Sequence, residues 1–71
     1  MNEREWNIRY WIKEKLLGEL ISAKRNLRFS AEREQAQLTG MLHYMVSVGD
    51  ISEETFKKVY KISRLIIKNY F

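Results

Sequence analysis

The chain contains no cysteine, no proline and only three glycines, at positions 18, 40 and 49. Without cysteine there are no disulfides and no thiolate metal sites, and a lone His43 does not complete a metal cage. With so few breakers the chain reads as long helices, free of internal repeats, low-complexity tracts and linkers. There is no glycine-rich phosphate loop. The most apolar early run, Leu16 to Ile21, is interrupted by Glu19 and is far too short to cross a bilayer. Together with the missing cysteines, this sets the expectation of a cytoplasmic protein.

What is present is a single domain, residues 1–71, with a thin core. A fold of this size buries only about 60% of its extended surface. The 45% hydrophobic and 13% aromatic content is too apolar for a disordered chain. Small folds usually add a disulfide, a metal or a partner subunit. With the first two removed, self-association is the expected supplement. A net charge of +4 favours acidic partners, although many soluble domains carry such an excess for solubility alone.

Hydrophobic periodicity predicts three helices, over about 4–26, 31–48 and 53–70. The expected fold is all-α: a three-helix bundle or a long helical hairpin, oligomeric. In the first helix Ile8, Ile12, Leu16, Leu20, Ala23 and Leu27 form one stripe, widened on a flank by Trp6, Tyr10, Leu17 and Ile21. That arc exceeds what one neighbouring helix needs. Trp11 falls outside it, beside Lys15, Gly18 and Ser22. It lies about 140° around the helix from Trp6, so the two cannot share one narrow core.

Between the first two helices the pattern weakens at Asn26 to Phe29, and Ser30 reads as the N-cap of the second. A kink here is favoured over an uninterrupted rod, which no Gly or Pro forbids. Ala31, Leu38, Met41, Leu42, Met45 and Val48 share the second helix's inner face. The next turn carries three agreeing signals. Gly49 suits a left-handed C′ position, Ser52 an N-cap followed by Glu53 and Glu54, and Ile51 a staple onto Phe56.

Residues 38–61, with their leucine and methionine spacing, Gly49, Ile51-Ser52-Glu53-Glu54 and Phe56, resemble the short carboxy-terminal helical hairpin called SHOCT. The resemblance implies an oligomerisation or docking element with no catalytic role. In general appearance the chain is also similar to small helical proteins of phages and mobile elements.

Catalysis finds little support. His43 has neither a cysteine nor an obvious carboxylate on its face, and Asp50, Glu53 and Glu54 are explained as turn and dipole residues. No catalytic residue, cofactor site or metal site is expected. The expectation is a small regulatory or adaptor protein acting by protein–protein binding and as a homodimer. Tyr10, Trp11 and Leu17 are the candidate apolar anchors.

Lys57, Lys61, Arg64 and Lys68 recur within an arc of about 60° on the third helix, with no acid after Glu54 to pair them. The plain reading is a solvated helix face. The sharper reading is an acidic patch on a protein partner. A different class of function is a nucleic-acid-binding accessory protein using these four residues on phosphates. Groove reading through the hairpin is disfavoured, because Glu53 and Glu54 stand where a recognition helix would approach the bases. A membrane-surface role for the Ile66 to Phe71 end is the weakest alternative.

Overall fold

The computed structural model describes residues 2–71 and holds three α-helices: α1 Glu3–Lys24, α2 Arg28–Ser47 and α3 Glu53–Tyr70. They form an all-α three-helix bundle, 36 Å in its longest dimension. No helix among the described residues is long and apolar enough to cross a membrane.

Each helix begins and ends for a local reason. The Asn2 side chain accepts from the Glu5 backbone N–H at 2.8 Å and caps α1, whose first turn carries Glu3 and Glu5. Ser52 caps α3 by accepting from Thr55 N–H at 3.1 Å, as expected from the sequence. Gly49 has φ +79° and closes α2. Its N–H reaches Val46 O and that of Asp50 reaches Met45 O, the paired bonds of a Schellman turn.

The first turn corrects the sequence reading. α2 starts at Arg28, not at Ala31, and Ser30 lies inside the helix rather than capping it. Leu27 occupies the N-cap position with no side-chain hydrogen bond. The break is a second Schellman turn: Asn26 takes φ 59°, its N–H bonds Ala23 O, and Leu27 N–H bonds Ser22 O. Asparagine tolerates the left-handed region better than other side chains. The break therefore needs no glycine, and α1 and α2 are two helices rather than one rod.

With two tight turns the helices run up, down and up, which leaves α1 and α3 parallel. The core cluster is Ile12, Leu38, Leu42, Met45 and Val59, with Ile8, Trp11, Leu16, Ile51 and Phe56 packed against it. Toward the α1–α2 turn, buried Ala23 and Ala31 let those two helices come close. Met41 and Val48, expected inside, are exposed at 41% and 49% because they lie about 70–90° from the centre of α2's buried face. At the opposite end Arg4 Nη2 reaches Asp50 Oδ1 at 2.6 Å and clips the start of α1 to the second turn.

Gly49→Ala tests how much that turn matters. Its Cβ would meet nothing within 4 Å, so the whole effect is backbone strain at φ +79°. The expected loss is about 1–2 kcal/mol, read as a lower urea midpoint. Gly40→Ala, in open space within α2, should instead gain about 1 kcal/mol.

Candidate interaction surfaces

The packing of α1 decides which apolar residues remain free. Its buried side comprises Ile12, Glu19 and Ala23, with Ile8, Leu16 and Trp11 half-buried beside them. The bundle has thus taken one flank of the wide apolar arc and left the other outside. Trp6, Tyr10, Leu17 and Ile21 stand 58%, 52%, 40% and 50% exposed. On the wheel these four fall within about 60° of one another, nearly opposite the buried side. Trp6 and Tyr10 stack with ring centroids 5.4 Å apart and planes 9° from parallel, one rigid aromatic plate on the free face.

Trp11 is placed differently from the sequence reading. It lies against the core on the α2 side, with Lys15 Nζ 5.9 Å over its ring. α1 is rolled toward α2, which covers the sector shared by Trp11, Lys15 and Gly18. The displaced tryptophan is therefore Trp6, which the sequence reading assigned to the stripe's flank. Of the three named anchors, the structure brings Tyr10 and Leu17 together and separates Trp11 from both.

Beside the free face, α1 and α3 enclose a shallow groove of about 460 Å³ lined by Leu16, Leu17, Leu20, Ile62 and Ile66. Arg9 and Lys13 stand on its α1 side. An interface commonly has this anatomy, an apolar floor with a charged rim.

The basic stripe lies on another side of the bundle. Lys57, Lys61, Arg64 and Lys68 are all exposed, and none is in an ion pair among the described residues. Lys61, Arg64 and Lys68 line a groove of about 930 Å³ between α2 and α3, with Gln35, Thr39 and Tyr60. Arg64 packs over the Tyr60 ring at 5.6 Å and donates to its hydroxyl at 3.2 Å. Lys57 falls outside that groove. His43 is exposed, its ring tilted against Phe56 at 4.7 Å. No group of three His, Cys, Asp or Glu that could hold a metal occurs among the described residues.

A buried carboxyl lies between α1 and α3. Glu19 and Ser63 are both fully enclosed, and the Ser63 hydroxyl donates to Glu19 Oε1 at 2.5 Å. Glu19 Oε2 has no hydrogen-bond partner among the described residues. Gln35 Nε2 donates to the Ser63 carbonyl at 3.3 Å, so α1, α2 and α3 meet in one polar layer. Burial pushes the Glu19 carboxyl up to about 7; the Ser63 bond opposes this, and nearby Glu34 adds to it. The layer has no access to a ligand, and its consequence is for stability.

Scanned against protein-family models, curated proteins and solved structures, the chain matches none.

Proposed function

We propose that this is a small non-catalytic adaptor or regulatory protein that works by binding protein surfaces, itself included. The observation that carries this reading is the second apolar side of α1. A helix in a monomeric bundle needs one apolar face, and α1 has two, the outer one bearing a stacked Trp6–Tyr10 pair with Leu17 and Ile21. Tryptophan and tyrosine are the residues most enriched at the energetic centres of interfaces. Contiguous apolar patches on soluble proteins mark interaction sites more often than scattered single residues do. The resemblance of residues 38–61 to SHOCT points the same way, toward oligomerisation or docking.

In this reading the apolar anchors are Tyr10 and Leu17 with Trp6 and Ile21, while Trp11 braces α1 from within. The basic stripe of α3 faces an acidic patch on a further protein. Light scattering on a size-exclusion column tests the self-association. The expected mass is twice 8.6 kDa, and Leu17→Asp should return it to one subunit with helical content unchanged. A wild-type monomer at high concentration overturns the homodimer.

One observation favours a second reading, binding of nucleic acid. The cations of the α2–α3 groove are free of carboxylate partners among the described residues, so each is available to phosphate. That reading requires a duplex or single-strand mobility shift that weakens steeply with salt and disappears when Lys57, Lys61, Arg64 and Lys68 become Glu. Absence of any shift at low salt removes it.

A further inference from the structure

The free face of α1 reads complementary chemistry from its two ends. Eight residues occupy its outward arc of about 100°, and all eight are exposed. Counted inward from the two ends of the helix they pair as Glu3 with Lys24, Trp6 with Ile21, Tyr10 with Leu17, and Lys13 with Glu14. The members of each pair lie at equal distances from the point midway between Lys13 and Glu14. Every pair is complementary: acid with base at the ends, aromatic with aliphatic inside them, base with acid in the middle.

We infer that this face is covered by a second copy of the chain, with α1 packed antiparallel on α1 about a two-fold axis passing between Lys13 and Glu14. The inference rests on the self-association proposed above and adds its geometry. A two-fold interface is isologous, so one surface must complement itself after reversal. Reversal about this axis sets each residue at the height of its mate. Trp6 meets the partner's Ile21 and Tyr10 meets the partner's Leu17, each twice. Glu3 and the partner's Lys24 close both ends. Around the axis two lysines and two glutamates gather with no net charge.

A parallel arrangement fails the same comparison. It would set every residue beside its own copy, with Glu3 on Glu3 at one end and Lys24 on Lys24 at the other. Opposed like charges repel and work against that register. A foreign helix in the adjoining α1–α3 groove would have to answer Arg9 and Lys13 with acids of its own. The α1 face already supplies its own counter-charges. The basic stripe of α3, by contrast, is cationic throughout and does not complement itself on reversal.

Cross-linking tests the register directly, because the natural chain has no cysteine. Lys13→Cys should close an intersubunit disulfide many-fold faster than Arg33→Cys, which is exposed on α2. An equal mixture of Glu3→Cys and Lys24→Cys proteins should give mainly the mixed dimer, with little self-closure of either. In parallel, Lys24→Glu should weaken dimerisation by about tenfold and Glu3→Lys/Lys24→Glu should restore it, a swap that leaves apolar packing untouched. Self-closure of Glu3→Cys alone, or a dimer indifferent to the charge swap, overturns the antiparallel register while self-association stands. A wild-type chain that is monomeric throughout removes both.

Discussion

Raising the pH from 4.5 to 8 is expected to destabilise the fold by about 3 kcal/mol, and Glu19→Gln is expected to abolish most of that dependence. The reason is the enclosed carboxyl between α1 and α3. Its ordinary value of 4.5 rises to about 7 in the fold. A charged carboxylate there gives up solvation and regains one hydrogen bond from Ser63, while Oε2 finds none among the described residues. The folded chain therefore holds this proton more tightly than the unfolded chain does. Below about pH 4.5 both states are protonated and the group costs nothing. Between 4.5 and 7 the unfolded state has released its proton and the folded state has not, so stability falls with rising pH. Above 7 both are ionised and the loss levels off at about 1.4 kcal/mol per unit of the difference.

The surroundings of Glu19 set what else can move in that window. Glu34 approaches from α2 and is itself paired with Lys15 of α1 at 3.5 Å; from α3 comes the hydroxyl of Ser63, which does not titrate. Urea unfolding at pH 5 and pH 8 reads the effect as a shift in midpoint at constant slope. The glutamine variant should give two nearly coincident curves. Replacing both partners, Glu19→Leu with Ser63→Ala, should exceed the wild type at pH 8, because no buried polar group is then left unmatched. Equal wild-type stability at the two pH values would refute the assignment of a strained carboxyl.

How far these features are legible in the sequence depends on whether the signal is local. The Gly49–Ser52 turn was readable because a C′ glycine, an N-cap serine and two first-turn acids act within a few residues of one another. At Asn26 the break itself was legible in the weakened pattern but its geometry was not: asparagine is only one of several residues that accept a positive φ, and Ser30 offered a cap that α2 does not use. The excess width of α1's apolar arc was visible. Which flank would be buried was not, because the choice belongs to the roll of α1 against α2. That roll takes Trp11 inward and Trp6 out. Glu19 escaped notice for a related reason. A charged residue among leucines reads as a solvent-facing interruption, and only the arrival of Ser63, 44 residues later, makes its position an inner one. The basic stripe of α3 was legible throughout, since helical spacing alone places Lys57, Lys61, Arg64 and Lys68 on one side.

Leu42→Ala and Leu38→Ala are each expected to cost about 2–5 kcal/mol, whereas Phe29→Ala should change monomer stability by less than about 0.5 kcal/mol. Hydrophobicity alone would rank phenylalanine above leucine. Position reverses the order: both leucines are wholly buried in the centre of α2, and Phe29 is 79% exposed at its start. Truncating either leucine removes apolar area from the one continuous cluster and leaves a cavity between helices held apart by Ile12, Met45 and Val59. A domain of this length has a total stability of roughly 4–10 kcal/mol, so the larger values would leave a substantial unfolded population at 37 °C. Because association favours the folded state by mass action, a dimerising Leu42→Ala chain should melt at a temperature that climbs with protein concentration. Calorimetry over a hundredfold concentration range reads both quantities at once. Losses below about 1 kcal/mol for the two leucines would mean that the bundle's centre lies elsewhere, and with it the division of α1 into an inner and an outer side.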